Sequence, residues 1–419
     1  MTYIEFFDKT ASKNISACLT YVPDRVVLIG NHERIIRKHI KNYQQVLSDR
    51  GHKIEFDVKI VSDSNLDNAV SLLTELVETY DDCIFDVTGG EEILLLALGI
   101  VYANHPEKNI QIHKLNLRNN AIYDCDKDGM TIYRDTPALS VEENIRIYGG
   151  DVVYGGINDN KTYLWDLNPD FIKDVNAIWS VCKGDVRCWN TLIGFFGAIE
   201  HAGEVVCQET LTTVAKKSDL EAQLARYKAK YKTAIRIIDS LLWHNLLTSF
   251  DDSDRETITI SYKNEQVKKC LTKAGQALEM KIFITANQLL DCNGNPVYHD
   301  VANGIVIDWD GEFHDNNAEE YDTVNEIDIL MMHDMVPVFI SCKNGNVTSD
   351  ELYKLNTVAE RFGGQYSKKV LVATSISSLG EGGKYLRQRA KDMNIRILED
   401  IQDLDDKELE KKLKNLWCN

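Results

Sequence analysis

Residues Thr323 to Gly345 read T-V-N-E-I-D-I-L-M-M-H-D-M-V-P-V-F-I-S-C-K-N-G, a pattern that predicts two strands joined by a short turn. The first strand is Val324 to Met332, and the second is Pro337 to Lys343. Glu326 and Asp328 lie two residues apart on the first strand, so we expect their side chains to share one face. The second strand is apolar until its end, where a lysine follows a serine and a cysteine. The hairpin therefore predicts buried strands that carry charged groups at their ends.

Two carboxylates and an ammonium at the ends of apolar strands point to a bound cation or phosphate. A hard divalent cation takes oxygen ligands, which Glu326 and Asp328 can supply. Lys343 can stabilise a pentacoordinate phosphate or orient a water molecule. The pattern therefore favours a metal-dependent phosphodiesterase. The alternative is a solvated hairpin face on which acids and a lysine meet by chance.

The composition indicates a soluble globular protein of two or three domains, because 419 residues that are 44% hydrophobic can bury more than one core. No apolar run reaches the length of a membrane span, and the first residues show no signal-peptide pattern. The ten cysteines are scattered without C-x-x-C, which predicts reduced thiols in a cytoplasm, and the ten histidines form no zinc-binding cluster. A formal charge of −18 disfavours non-specific coating of nucleic acid, but not a local groove for a few phosphates.

The first third of the chain alternates strand patterns with helix patterns. Short apolar runs predict strands at Tyr3–Phe7, Arg25–Gly30, Lys53–Val61, Cys83–Thr88, Ile110–Leu117 and Ala121–Cys125. Amphipathic segments between them predict helices, and Ser12 is a candidate cap for the first. This order predicts a parallel, doubly wound sheet, in which ligands bind beyond the carboxyl ends of the strands.

Three polar loops fall at those strand ends: Thr10 to Asn14, Gly30 to His32 and Thr88 to Glu91. The T-G-G turn of the third loop leads into a helix, where backbone N–H groups and the helix dipole favour a phosphate. The alternative is that Gly89 and Gly90 only permit a tight turn. The motifs G-x-G-x-x-G and G-x-x-x-x-G-K-[ST] do not occur, so neither a dinucleotide cofactor nor a P-loop NTPase is supported.

The middle of the chain predicts a mainly helical connection. Arg146 to Gly156 is rich in glycine and tyrosine and is the best candidate for a domain boundary. Long helices are predicted from Ser218 to Phe250, and Thr257 to Tyr262 is a candidate ribbon of a winged-helix-like piece. The long helices have a basic face, formed by Lys228, Lys230, Lys232 and Arg236. A solvated surface explains this face better than nucleic-acid binding does.

The last third of the chain predicts a second α/β core. Apolar periodicity predicts a helix from Asn264 to Met280, with Glu279 near its end. A strand at Asn303–Asp308 precedes the hairpin. The pattern then continues as helix, strand, helix and strand, at Asp350–Phe362, Lys369–Thr374, Lys384–Met393 and Ile395–Leu398.

Phe85 to Glu92 reads F-D-V-T-G-G-E-E after a strand–polar loop–helix opening, and in both features the chain resembles the CRISPR-associated Rossmann-fold (CARF) sensor family. That family binds cyclic oligoadenylates at a two-fold dimer interface. The resemblance implies a Rossmann-like CARF domain in which adenylate or its phosphates contact Thr10, Ser12, Asn31, Thr88, Gly89 and Gly90.

The order helix–strand–strand–strand–helix–strand in the last third resembles the restriction-endonuclease-like PD-(D/E)xK core. The resemblance implies that Asp328 is the metal-binding aspartate that opens the second core strand. It likewise implies that Lys343 is the catalytic lysine and that Glu279 is the additional helix carboxylate of many members.

One position departs from that family. The acid two residues before the lysine is replaced by Ser341, whose hydroxyl is a weaker metal ligand and carries no charge. Glu326 and the backbone carbonyl of Cys342 are the candidates that can complete the ligand set. A degenerate, non-catalytic core is the alternative.

Together the two halves resemble the single-chain nucleases of type III CRISPR defence. The resemblance implies a sensor domain at residues 1–148, a helical or winged-helix-like connection at 149–256 and a nuclease domain at 257–419. It also implies a cytoplasmic homodimer that is activated by cyclic tetra-adenylate and uses Mn²⁺ or Mg²⁺ to cleave single-stranded RNA or DNA, or to nick duplex DNA. Two alternatives stay open: a ligand-responsive CARF transcription regulator that reads DNA with its middle helices, and a ring nuclease that degrades cyclic oligoadenylate in its first domain.

Overall fold

The computed structural model describes residues 1–61, 65–116, 120–125, 131–155, 161–312, 324–376 and 380–417. Leu117, which ends a predicted strand, Gly156, which ends the predicted connector, and Thr323, which begins the stretch quoted above, lie outside these ranges.

The N-terminal sheet has seven strands: β1 (Thr2–Phe6), β2 (Arg25–Gly30), β3 (Glu55–Ile60), β4 (Asp82–Asp86), β5 (Asn109–Asn116), β6 (Ala121–Asp124) and β7 (Thr131–Asp135). Their order is β3-β2-β1-β4-β5-β6-β7. The first five strands pair in parallel, and β6 and β7 are added antiparallel at one edge. This is the predicted doubly wound sheet, extended by β7, which the sequence pattern did not reveal.

Four helices cover the two faces of the N-terminal sheet: α1 (Ala11–Tyr21), α2 (Glu33–Asp49), α3 (Leu66–Thr79) and α4 (Glu92–Asn104). Alternate strand residues select the face, because side chains along a strand point in opposite directions. Ile4 and Phe6 pack with α3 and α4, whereas Tyr3 and Val26 pack with α1 and α2.

A mainly helical module follows α5 (Val141–Ile147) and the two-residue strand β8 (Asp151–Val152). It contains α6 (Pro169–Gly184), α7 (Val186–Ala202), β9 (Glu204–Cys207), β10 (Thr212–Lys216), α8 (Glu221–Ala229), α9 (Tyr231–Trp243), β11 (Leu247–Asp251), β12 (Thr257–Tyr262) and α10 (Glu265–Thr272). The four strands form a small antiparallel sheet in the order β11-β12-β10-β9.

The observed strands and helices bear on two predictions for this module, its C-terminal boundary and its basic face. The predicted ribbon Thr257–Tyr262 is β12, an inner strand of the small sheet, so a boundary between residues 256 and 257 would divide that sheet. We propose that the module extends through Tyr262. The predicted basic face is divided between α8 and α9, because Lys230 lies between them and its ammonium bonds the carbonyl of Arg187 on α7 at 3.0 Å.

The C-terminal sheet contains β8 and five further strands: β13 (Asp300–Asp308), β14 (Val324–His333), β15 (Val336–Lys343), β16 (Lys368–Ala373) and β17 (Ile395–Leu398). Their order is β17-β16-β15-β14-β13-β8. The hairpin β14–β15 is antiparallel, as predicted, and β15 pairs in parallel with β16. The helices of this part are α11 (Gln276–Gln288), α12 (Ser349–Gly363), α13 (Glu381–Asp392) and α14 (Asp406–Lys414).

The helix predicted from Asn264 to Met280 is in fact two helices, α10 and α11. Lys273 has extended backbone angles, and Gly275 caps α11 with a φ of 88°. A positive φ is accessible to glycine at little cost, so the chain can break and restart here. The break moves Glu279 from the end of one predicted helix to the first turn of another.

One hydrophobic core joins the N-terminal sheet to the C-terminal sheet. Tyr3 of β1 and Ile15 of α1 belong to the same buried cluster as Phe339 of β15 and Phe362 of α12. The side-chain amide of Asn144, on α5, donates to the carbonyl of Phe362 at 2.8 Å within this core. The two sheets are therefore held together by apolar packing through α1, α2, α5 and α12.

The predicted fold class is confirmed: a Rossmann-like sheet and a second α/β sheet are connected by a mainly helical region. Among the described residues, no helix combines the length and the apolar character needed to cross a membrane.

Candidate functional site

The end of β15 brings Ser341, Cys342 and Lys343 against Asp328 on β14. Asp328 Oδ2 accepts hydrogen bonds from the backbone N–H of Cys342 at 2.6 Å and from the hydroxyl of Ser341 at 3.2 Å. Lys343 Nζ lies 3.7 Å from the same oxygen. Cys342 thus contributes its N–H to this contact, and the role of its carbonyl as a metal ligand stays a prediction.

Glu279 approaches the same place from the first turn of α11. It is only 5% exposed, and its Oε2 is one of the buried oxygens in the described ranges without a hydrogen-bond partner. The pKa of its carboxyl is raised to about 8, mainly by burial and then by the charges of Asp328 and Glu326, against the lowering effect of Lys273 and Lys343. The structure therefore brings the three predicted acids and Lys343 within electrostatic range of one another.

Glu326 borders two clefts. The hairpin cleft, of about 310 Å³, is lined by Glu326, Asp328, Ser341 and Lys343. The lysine cleft, of about 380 Å³, also contains Glu326, which forms an ion pair there with Lys273. Lys273 is thus a counter-ion for the acid cluster at the lysine cleft, where the other charges of the cluster are negative.

Glu351, in the first turn of α12, is a site residue that the sequence analysis missed. Its Oε2 lies 3.2 Å from Lys343 Nζ, its side chain is 21% exposed, and it lines the hairpin cleft. Burial lowers the pKa of Lys343, but Asp328 and Glu351 outweigh that effect, so the net shift is upward and the lysine stays charged. An acidic residue eight positions after the lysine, at a helix start, was the signal that could have identified it.

Two buried amides, also missed, fix the strand that carries Asp328. Asn303 on β13 donates from its amide to the backbone carbonyl of Asp328 at 2.9 Å. Gln276 on α11 donates in turn to Asn303 Oδ1 at 3.1 Å. Both amides are 3% exposed. This network connects the helix that carries Glu279 to the strand that carries Asp328, so the positions of the two acids are coupled.

The predicted ligand loops of the N-terminal sheet also meet one another. The side-chain amide of Asn31 donates to Glu91 at 2.5 Å, which connects the β2 loop to the T-G-G turn. A Cβ at Gly89 would lie 2.7 Å from the Cβ of Asp8, so this turn also packs on the β1 loop, which is residues 7–10 between β1 and α1. Thr88 accepts a hydrogen bond from the N–H of Leu115 at 2.6 Å.

Thr10 and Ser12 occupy a different environment from the other predicted ligand contacts. They are 7% and 4% exposed, because α1 is covered on both sides. The helix begins at Ala11, so Ser12 lies in its first turn and is not the cap. The β1 loop is closed instead by Asp8, whose Oδ1 accepts the N–H of Thr10 at 2.8 Å. Their contact with a ligand stays a prediction.

No family model and no curated protein sequence matches this chain. Solved structures do match it. Protein VC1899 from Vibrio cholerae is 15% identical with a TM-score of 0.74, and the alignment covers 100% of this chain and 98% of that one. Can2 from Sulfobacillus thermosulfidooxidans, solved in complex with cyclic tetra-adenylate, is 15% identical with a TM-score of 0.66 over 100% and 97% of the two chains. This chain has the fold of Can2.

The predicted resemblance is thus confirmed at the level of fold. A third structure, of a type III CRISPR defence DNA nuclease activated by cyclic oligoadenylate, is 13% identical. It matches 89% of this chain and 45% of its own with a TM-score of 0.45. The likeness to Can2 and VC1899, by contrast, extends over both sheets and the helical module, because it covers the chain from end to end.

Within the Can2 fold, the acid cluster has the donors that a hard divalent cation requires. No group of three His, Cys, Asp or Glu side chains in the described ranges is already arranged around a metal position. The available donors are carboxylate and hydroxyl oxygens, which suit Mg²⁺ or Mn²⁺ and not zinc. The buried, unpartnered Oε2 of Glu279 and its raised pKa indicate a carboxyl whose ionised form lacks sufficient counter-charge, which a bound cation would supply.

We predict that Glu279→Gln stabilises the metal-free protein in a pH-dependent way. Folded Glu279 keeps its proton to higher pH than the unfolded chain does, so its contribution is most favourable below about pH 4.5 and is lost as the pH rises towards about 8. Measured in EDTA, the Tm of the variant should equal that of the wild type in acid and exceed it by a few degrees near the upper end of this window.

The same experiment includes a metal arm. Mn²⁺ should raise the Tm of the wild type, because a ligand that binds only the folded state stabilises it, and should raise that of Glu279→Gln less. A Tm difference that does not change with pH would contradict the assigned environment of Glu279.

We predict that Gly90→Ala destabilises the N-terminal sheet whether or not a ligand binds there. Gly90 has a φ of 96°, and a Cβ there would lie 2.3 Å from the Cβ of Phe6. We expect a loss of about 2–4 kcal/mol in urea unfolding. The matched control is Gly194→Ala inside α7, where a Cβ meets nothing within 4 Å; it should gain roughly 0.5–1 kcal/mol. Equal stability of the two variants would remove the structural explanation for the second glycine of T-G-G.

Proposed function

We propose that this chain is a cyclic-oligoadenylate-activated, metal-dependent endonuclease of type III CRISPR defence that cleaves single-stranded RNA or DNA. The observation that carries the proposal is the meeting of Glu279, Asp328 and Lys343, from a helix and two strands, at one site. The fold shared with Can2, which was solved with cyclic tetra-adenylate, supports that molecule as the activator.

The chemistry follows from the groups at the site. Glu279 and Asp328, with Glu326 as a further donor, would hold Mn²⁺ or Mg²⁺, which polarises a phosphate and lowers the pKa of a bound water. Lys343 keeps its charge beside Asp328 and can orient the attacking water or offset negative charge on the phosphorane. The hydrogen bonds from Ser341 and Cys342 to Asp328 Oδ2 hold that carboxylate in place.

Glu351 is the residue that we assign to the role of the missing acid. Ser341 supplies no charge at the usual position, whereas Glu351 lines the same cleft and contacts the same lysine at 3.2 Å. A carboxylate that reaches the site from α12 instead of β15 restores the number of acids. This assignment favours an active enzyme over a degenerate core.

The first test is a cleavage assay on fluorescent single-stranded RNA, single-stranded DNA and plasmid, with Mn²⁺ or Mg²⁺. We expect cleavage of a single strand that depends on cyclic tetra-adenylate. The cleavage rate should fall at least a hundredfold in Lys343→Ala and in Asp328→Asn. Lys384→Ala, which changes a 72% exposed lysine on α13 that lines neither cleft, is the control and should cut normally.

The assay also distinguishes the alternatives. Tight binding of duplex DNA in EDTA without any cutting would favour the transcription regulator. Loss of intact cyclic tetra-adenylate without cutting of the other substrates would favour a ring nuclease. Undiminished cutting by Lys343→Ala would remove the assigned site.

A second test addresses Glu351 by moving its carboxylate. Glu351→Gln should lower the cleavage rate ten- to a thousandfold, as expected when one charged group of a metal-dependent site is lost. Ser341→Glu added to that variant should recover part of the rate, because it returns an acid to the position that the nuclease core normally uses. A Glu351→Gln variant with wild-type rates would contradict the assignment.

Helix α12 offers a physical route from activator to active site. Its 15 residues span roughly 22 Å at 1.5 Å per residue, with Glu351 in the first turn. Just beyond its other end, Gln365 accepts a hydrogen bond from Lys13 of α1 at 3.4 Å. A Cβ at Gly364 would lie 2.9 Å from Thr10 in the β1 loop. A ligand that shifts this loop can therefore move α12, and with it the carboxylate that contacts Lys343.

The assembly and location belong to the same proposal. Leu95, Leu96 and Tyr102 are 38%, 57% and 40% exposed on α4, an apolar surface that a second copy of the chain would cover in a homodimer. Every cysteine in the described ranges is a free thiol, which suits a cytoplasm.

A further inference from the structure

The lysine cleft next to the active site is lined by groups that the reaction itself does not use. Tyr163 and Trp165 form its aromatic part, and Lys161, Lys269 and Lys273 are its cations. The cleft shares Glu326 with the hairpin cleft, so the two spaces adjoin. Three lysines on one small surface are notable in a chain whose formal charge is −18.

The aromatic side chains are on an extended segment that is fixed at both ends. On one side, the hydroxyl of Thr162 accepts a hydrogen bond from the N–H of Val306 at 2.9 Å. The N–H of Thr162 donates to the backbone carbonyl of Val153 at 2.7 Å. On the other side, the N–H of Asp166 donates to the side chain of Gln266, on α10, at 2.7 Å. The segment therefore presents its side chains from a defined backbone position.

The rings themselves are held by contacts on one side and reach the cleft on the other. Trp165 stacks on Phe171 of α6 with a centroid distance of 5.6 Å and an interplanar angle of 6°. Tyr163 meets Trp165 edge to face at 4.7 Å. Lys269 Nζ lies 4.4 Å from the centre of the Tyr163 ring, so a cation and an aromatic surface are adjacent. Leu164, between the two rings in sequence, is 74% exposed.

These features match the two requirements for holding an unpaired nucleic-acid strand. Aromatic rings stack on bases whose faces are free, and lysines contact phosphates along the backbone. In a duplex the base faces are covered by neighbouring base pairs, so a stacking surface selects unpaired nucleotides. The position beside Glu326 would lead the bound strand towards Asp328 and Lys343.

We infer that the lysine cleft is the substrate groove for a single strand, in which a base stacks on one ring of the Tyr163–Trp165 pair while Lys161 and Lys269 bind the flanking phosphates. The inference rests on the proposed nuclease function and adds the groove and the residues that would bind the unpaired nucleotides next to the cleaved bond. Lys273 remains the counter-ion of Glu326 and is not part of the test, because changing it would disturb the acid cluster.

The test measures binding without cleavage. Binding is followed by fluorescence anisotropy in EDTA and with saturating cyclic tetra-adenylate. The probes are fluorescein-labelled single-stranded RNA, single-stranded DNA and a matched duplex. Tyr163→Ala should weaken single-strand binding roughly ten- to a hundredfold and leave any duplex binding unchanged, whereas Tyr163→Phe should bind normally. Lys161→Ala with Lys269→Ala should lower the slope of log affinity against log salt by about 0.7 per lysine. Trp243→Ala, an 85% exposed tryptophan on α9 outside both clefts, is the matched aromatic control.

The outcomes separate this inference from the proposed function. Lys343→Ala should bind single strands like the wild type and cut nothing, which keeps binding and chemistry distinct. If the wild type cuts single strands but Tyr163→Ala and the double lysine variant bind and cut equally well, the groove assignment is overturned and the nuclease stands. If the wild type binds the duplex more tightly than either single strand, the substrate class is overturned. If the wild type neither binds nor cuts any strand, both proposals fail.

Discussion

The burial of α1 between two sheets is the constraint on which the rest of the molecule depends. Every residue from Ala11 to Leu19 is buried, because one side of the helix covers the N-terminal sheet and the other packs against the C-terminal part. A buried ammonium and a buried amide in this helix need partners. Lys13 has Asp8 at 2.8 Å, and Asn14 bonds the hydroxyl of Tyr43 at 3.0 Å. The polar contacts of the β1 loop thus lie where the two halves of the chain pack together, so a change in that loop would affect both halves.

The acid cluster shows how a site can be assembled at a cost to folding. Placing Glu279 among like charges raises its pKa, which means that the folded state resists full ionisation there. The protein limits that cost with Lys273 and Lys343 and with the hydrogen bonds on Asp328. Ser341 is uncharged and so adds no further repulsion, and the carboxylate of Glu351 reaches Lys343 from a neighbouring helix.

Helix α12 connects the β1 loop with the acid cluster, which gives the proposed activation a simple physical form. Packed cores tend to have discrete arrangements rather than a continuous range, so a small displacement at one end of α12 is transmitted along a rigid element. Arg361, near its C-terminal end, donates to the backbone carbonyls of Tyr148 and Trp309 and so ties the helix to the ends of α5 and β13. The lysine cleft shares Glu326 with the hairpin cleft and is lined by residues of β13, α10 and α11 and of the segment 161–165.

Local pattern was enough to predict most strands, the doubly wound order, and the pairing of Asp328 with Lys343, because strand periodicity and hairpin register depend on residues close in sequence. The resemblance to the nuclease core, not local pattern, implied Glu279 as a partner, and the helix predicted to carry it was wrong. The break at Gly275, the α12 carboxylate Glu351 and the aromatic groove were not foreseen. The groove arises from contacts between segments about a hundred residues apart, the place of Glu351 from the packing of α12 beside β15, and the break from a backbone angle that glycine permits but does not require. Such choices are settled only when the sheets pack against their helices.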